Sequence, residues 1–185
     1  MNAVVQTRQT AANTPGPQGL MQEPAQYLTF MLAGEIFAVG ILAVKEIIEY
    51  QKITEVPMMP DCVRGVINLR GAVVPVMDLL ARFGRPSSEV SKRTCIVIVE
   101  IHSAEDSNER QIIGVVVDAV NEVLDIAPSD IEPAPSFGAR ISTDFIQGMG
   151  KVKDRFVILL NVDHVLSIDE ATLAALESKS LAELA

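Results

Sequence analysis

Tryptophan is absent from this 185-residue chain, which contains 2 tyrosines, 2 histidines and 2 cysteines. Enclosed substrate pockets draw on such side chains, and their scarcity argues against one. His102 and His164 lie far apart in the pattern, with no third ligand at metal spacing, so no metal site is expected. Cys62 and Cys95 sit in apolar surroundings without a Cys-x-x-Cys spacing, which reads as two buried, reduced thiols. Basic surplus is also missing: 15 Lys and Arg face 24 Asp and Glu, and the formal charge of −9 opposes the counterion release that drives nucleic-acid binding. No apolar run reaches the roughly 18 residues of a membrane span, because Glu100, Asp118 and Asn161 interrupt the best candidates. The first residues lack a basic segment followed by an apolar core, so no signal peptide is expected and the chain reads as cytoplasmic. Gly148-Met149-Gly150 is an isolated fragment of a glycine-rich loop, without the later glycine and helix that phosphate binding needs. With no Gly-x-Ser-x-Gly or reactive-cysteine pattern either, the sequence predicts no catalytic residue and no cofactor.

What the chain does hold is aliphatic: 49% of its residues are hydrophobic and only 4% aromatic, enough for a sizeable core. Residues 1–24 are the exception, rich in Gln, Thr, Ala, Asn, Gly and Pro without periodicity, a composition that predicts a disordered leader. Short apolar runs then begin, and strands are predicted at 27–32, 36–39, 65–69, 72–77, 94–101, 111–117, 146–152 and 156–162 within a domain spanning 25–166. Helix is scarce until Ser167-x-x-Glu170, a capping-box sequence. Leu173, Leu176, Leu181 and Leu184 follow it as a loose stripe, predicting a C-terminal helix over 167–185.

The chain also repeats itself. Residues 36–57 align without gaps on 112–133, with identities at Ile36/Ile112, Val39/Val115, Ala43/Ala119, Val44/Val120, Glu46/Glu122 and Pro57/Pro133. Further on, Gly65 faces Gly148, and 73–77 faces 157–161. Apolar strands resemble one another by default, but the Glu46/Glu122 and Pro57/Pro133 matches do not follow from hydrophobicity. The repeat predicts a mainly β protein of two related subdomains, each a twisted sheet curled into a barrel, with a groove between them.

The most informative stretch is Gly65-Val66-Ile67-Asn68-Leu69-Arg70-Gly71 with the apolar run after it. It predicts a tight antiparallel hairpin in which Gly71 supplies the positive φ that Arg70 would resist, leaving Arg70 at a stiff, solvent-reaching tip. Pro75 cannot donate to a ladder, so its strand is expected at an edge or at a bulge. A charged tip residue serves solubility in many hairpins, while a stiff tip beside an edge-like strand also suits an interface hot spot, and both readings of Arg70 are open at this point. Glu46 and Glu122 read either as outward-pointing residues of half-buried strands or as the polar rim of a groove. Their apolar neighbours Val44, Ile47, Val120 and Val123 read first as core, with an interface as the alternative.

Asn68-Leu69-Arg70-Gly71, Val74-Pro75-Val76-Met77-Asp78-Leu79, the run from Gly114 to Val120 and Pro133-Ala134-Pro135-Ser136-Phe137 together resemble the CheW family. These adaptors couple bacterial chemoreceptors to the histidine kinase CheA. The resemblance implies two intertwined SH3-like five-stranded β-barrels with a C-terminal helix, and a non-enzymatic scaffold. It implies a groove that receives the cytoplasmic tip of a chemoreceptor, with Val44, Glu46, Gly65, Arg70, Cys95, Gly114, Val120 and Val123 at matching positions. A second surface would dock the CheA regulatory domain through Ile41 and Phe137. Glu132 departs from relatives that carry a basic residue there. The protein would then be cytoplasmic, recruited to membrane-associated receptor arrays. Two alternatives are an adaptor for another CheA-like pathway, controlling pili or development, and a small β-barrel enzyme or ligand-binding protein.

Overall fold

The structure, a computed structural model, describes residues 23–103, 108–134 and 143–168. Almost all of the predicted leader, Phe137, and the C-terminal helix from residue 169 onward lie outside the described residues. No helix among the described residues is long and apolar enough to cross a membrane.

Three hairpins close on tight two-residue turns: β1 (Ala25–Leu32) with β2 (Glu35–Gly40), β4 (Val63–Leu69) with β5 (Ala72–Asp78), and β10 (Ile146–Val152) with β11 (Arg155–Leu160). Each closes on two residues of positive φ, the geometry that matches strand twist: Ala33 and Gly34 at 49° and 81°, Arg70 and Gly71 at 53° and 87°, Lys153 and Asp154 at 45° and 64°. Arg70 therefore adopts the left-handed conformation it was expected to resist. The turn needs two such residues, and Gly71 supplies only one of them.

The remaining strands are β3 (Val44–Glu49), β6 (Cys95–His102), β7 (Arg110–Val117), β8 (Ala119–Ile126) and the short β9 (Ile131–Glu132). They complete a six-stranded sheet ordered β8-β1-β2-β11-β10-β9 and a five-stranded sheet ordered β3-β6-β7-β5-β4. If β1 to β5 are matched to β6, β7, β8, β10 and β11, exchanging the copies converts one order into the other, β9 apart. Each sheet thus takes strands from both copies, which gives the intertwining its form and the molecule an internal pseudo-two-fold. Two short helices close the equivalent hairpins, α1 (Leu79–Arg82) and α2 (Val162–Val165). Asp78 caps α1 by accepting from the backbone N–H of Leu80 and Ala81 at 2.9 and 3.3 Å, and Asn161 caps α2 by accepting from that of His164 at 3.4 Å. These caps correct the sequence alignment by one residue. Val74 pairs with Ile67 where Val157 pairs with Gly150, so Asp78, not Met77, is the counterpart of Asn161.

Three apolar clusters account for the burial. Ile67, Val74, Val76, Ile96, Ile98 and Val116 come from the five-stranded sheet alone, and Tyr27, Ala38, Ile126, Val157 and Leu159 from the six-stranded sheet alone, so each sheet curls around a core of its own. The largest cluster draws on both sheets, with Leu28, Phe30, Val97 and Val99 among its members. This is why β1 is buried on both faces: Tyr27 points into its own barrel and Leu28 into the shared core. The rings of Phe30, Phe37 and Phe83 continue through that core at 6.3 and 5.8 Å, and a fully buried Phe contributes about 1.5–3 kcal/mol.

Pro75 does not mark an edge strand. β5 lies between β7 and β4, but its parallel ladder to β7 begins only at Val76, the first residue after the proline. In the twin sheet, Ile158 occupies the equivalent place and does pair, with Phe37. The missing N–H therefore opens the interior of a sheet instead of ending one.

Candidate functional site

Among the described residues the two sheets end in β3 and β8, twins under the repeat, each paired on one side only. Both carry a bulge at the same place. Val44 pairs with Val99 and Glu46 with Ile98, so Lys45 is extra; Val120 pairs with Phe30 and Val123 with Leu28, so Asn121 and Glu122 together oppose Thr29. Thr29 is buried, and its hydroxyl secures that bulge by donating to the Glu122 carbonyl at 2.8 Å and accepting from the Glu122 N–H at 3.2 Å.

A bulge shifts side-chain alternation by one, so residues three apart come to share a face. Val44 and Ile47 both lie on the side of Val99 and Val97, and Val120 and Val123 on that of Phe30 and Leu28; all four partners belong to the shared core. Val44 and Val120 pack on that core, while Ile47 and Val123 remain 43% and 46% exposed. The choice between core and interface is thus resolved within each pair, one residue anchoring and its neighbour facing solvent.

Arg70 Nη2 donates to Glu46 Oε2 at 2.6 Å, joining the β4–β5 tip to β3 while the arginine stays 77% exposed. The tip is braced from within, since Asn68 Oδ1 accepts from the Gly71 N–H at 2.8 Å. Beside this pair, β5 and β7 separate ahead of Pro75 and leave a cleft of about 440 Å³. Val74, Pro75, Ile98 and Ile112 line it, with Lys45, Glu46 and Arg110 around them. Lys45 and Arg110 both hold Glu100, at 2.5 and 2.7 Å, and these bonds, Lys45 first, keep the Glu100 carboxyl below the usual carboxylate range. Positive charge at the rim is thereby already engaged.

Of the predicted contact positions, the structure brings Glu46 and Arg70 into contact, sets Val44 on the same strand, and places Val120 and Val123 on the twin edge over the same core. Gly65 and Gly114 offer no surface. A Cβ on Gly65 would stand 2.0 Å from the Thr54 carbonyl oxygen, in the bridge where Thr54 and Val66 exchange 2.9 Å bonds; one on Gly114 would stand 2.9 Å from Ile96 Cγ2. Both permit close approach behind the site. Cys95 pairs with Glu49, at the opposite end of β3 from Val44, and is half-buried instead of buried as expected, its Sγ donating to the Arg93 carbonyl at 3.2 Å. Ile41 lies in a 3-10 turn and packs on the shared core, and the next residue, Leu42, is 98% exposed. The predicted strands omitted β3 and β8, the elements that carry the site. Apolar Val44, Ile47 and Ile48 are spaced by three and four instead of two, so residues 44–49 lack the alternation that marks a strand, and the bulge at Lys45 is the reason.

The CheW-like domain family model matches residues 26–170. A chemotaxis protein CheW of Klebsiella aerogenes is 32% identical over 155 residues, covering 84% of this chain and 89% of that protein. One from Rhizobium meliloti is 32% identical over 145 residues, covering 78% and 89%. Among solved structures, the scaffolding protein TtCheW from Thermoanaerobacter tengcongensis superposes with a TM-score of 0.69 at 34% identity, covering 83% of this chain and 94% of its own.

Proposed function

We propose the following from the fact that this chain belongs to the CheW family: within its role as a chemotaxis scaffold, it couples the cytoplasmic tips of chemoreceptors to the histidine kinase CheA by contact alone. Holding two partners in one assembly raises their effective concentration without any bond being made or broken. The receptor occupies the groove bordered by β3 and β8, touching Val44, Glu46, Arg70, Val120 and Val123, with Gly65, Gly114 and Cys95 supporting it. The kinase regulatory domain docks at Ile41 and Phe137. Binding of this kind recruits the protein from the cytoplasm to membrane-associated arrays.

The carrying observation is the pair of twin edge strands that leave Ile47 and Val123 half-exposed above one continuous core. Such a surface has the apolar centre of an interface, and the Arg70–Glu46 pair gives it a polar rim. Exposed Leu42 beside Ile41 supports a second apolar contact.

Titration of the protein with a purified receptor cytoplasmic fragment and with the CheA regulatory domain, separately and together, tests the reading. Both bind, neither displaces the other, and Val123→Glu removes receptor affinity while sparing the kinase. Mutual competition, or failure of either partner to bind, contradicts it.

A further inference from the structure

We infer that Glu100 is a positioning residue for the receptor groove: by holding Lys45, the extra residue of the β3 bulge, it fixes the register that turns Ile47 toward solvent. This rests on the receptor reading above.

The two edge bulges are twins, but they are fastened differently. On β8, Asn121 and Glu122 oppose Thr29, whose buried hydroxyl holds the N–H and the carbonyl of Glu122. The twin of Thr29 is Ile98, because their partners Ala38 and Gly114 match under the repeat. Ile98 stands opposite Lys45 and Glu46 with no polar atom in its side chain, so that fastening is lost on β3. Two ion pairs stand in its place. Arg70 holds Glu46, and Glu100, two residues along β6 from Ile98 and therefore on the same face, holds Lys45. Glu100 is itself fixed from the far side: its Oε2 meets Lys45 Nζ at 2.5 Å and its Oε1 accepts from Arg110 Nη1 at 2.7 Å, so one carboxylate spans β3, β6 and β7.

The β3 bulge needs such a fastener because its apolar pattern does not specify it. Ile47 now pairs with Val97 and Ile48 with Ile96. A ladder continued from Val44 without the bulge would set Lys45 opposite Ile98, Glu46 opposite Val97 and Ile47 opposite Ile96. One isoleucine would then take the barrel place of the other at little apolar cost, while the slip turned Ile47 away from the groove and Glu46 off the face where Arg70 meets it. The bond to Glu100 draws Lys45 past Ile98 and leaves that place to Glu46. The apolar contact surface of β3 therefore depends on a carboxylate that lies outside it.

The test combines anisotropy titration of a helical chemoreceptor cytoplasmic fragment against the full chain with native-state hydrogen exchange. Glu100→Gln and Lys45→Met each weaken binding about three- to fivefold, and the double variant binds no more weakly than either one, as expected of two residues acting through a single contact. Exchange quickens in both variants along residues 44–49 and not along 119–126. Tighter binding in Glu100→Gln would make the freed Lys45 or Arg110 a receptor contact, and it overturns the inference while leaving the receptor reading standing. Wild-type affinity in both variants, or exchange that quickens equally on the two edges, overturns it in the same way. Absence of wild-type binding overturns both.

Discussion

Arg70 reaches from the tip of the β4–β5 hairpin to the carboxylate of Glu46 on β3, 2.6 Å away and 24 residues earlier in sequence. The repeat supplies the same two positions again as Lys153 and Glu122, and there no ion pair forms among the described residues. The pair therefore distinguishes two otherwise equivalent edges of the molecule, one of them beside the cleft at Pro75.

Arg70→Ala separates stability from binding. The ion pair is largely exposed, and such pairs contribute about 0–1 kcal/mol, so denaturant unfolding shifts by about 0.5 kcal/mol or less. Loss of an interface hot spot costs receptor affinity about 2 kcal/mol, roughly a thirtyfold rise in Kd. Unchanged affinity would return Arg70 to a solvated turn residue.

Gly65→Ala and Gly71→Ala differ although both glycines have positive φ, 143° and 87°. At Gly71 nothing lies within 4 Å of the new methyl, so only backbone strain is added, about 1 kcal/mol. At Gly65 the methyl strikes the Thr54 carbonyl and breaks its bridge to Val66, and a loss of about 2 kcal/mol or more is expected in urea unfolding. Equal losses would mean that Gly65 is not held against Thr54.

Much of this fold was legible in the sequence because its units are local. Asn68-Leu69-Arg70-Gly71 closes as a hairpin, and the match of Glu46 to Glu122 exposed the duplication. What stayed hidden depends on tertiary partners. That sheets would mix strands of the two copies is not encoded in any single segment. Nor do residues 44–49 or 119–126 show that a bulge turns Ile47 and Val123 toward solvent, since the bulges are defined by pairing with β6 and β1. Arg70 was legible as a site residue while its partner Glu46 was read separately, because a contact between a turn and an edge strand leaves no trace in spacing.

Asp78 and Asn161 occupy twin caps with unequal duties. Asp78 is buried, accepts from two backbone N–H groups and pairs with Arg64 at 3.1 Å, whereas Asn161 accepts from one at 3.4 Å. Asp78→Ala costs about 2–3 kcal/mol, Asn161→Ala about 1 kcal/mol, both read by thermal or urea unfolding. An inverted order would show that the twin helices are held by packing alone.

Glu100 links stability to pH. Its carboxyl is held below the usual range by Lys45 and Arg110, so the folded state favours the anion. Its stabilising contribution is present above the unfolded value of about 4.3 and is lost as pH falls through the lower folded value. Glu100→Gln is therefore less stable than wild type at neutral pH, with a gap that closes under acid conditions. A gap independent of pH would exclude a role for the charge.

The most direct measurement of the adaptor account is co-sedimentation of the CheA regulatory domain with vesicles bearing a receptor cytoplasmic fragment, with and without this protein. The kinase domain sediments when the wild-type chain is added, and in its absence or with Val123→Glu it stays in the supernatant. Equal sedimentation of the kinase domain in all three samples would contradict the coupling role.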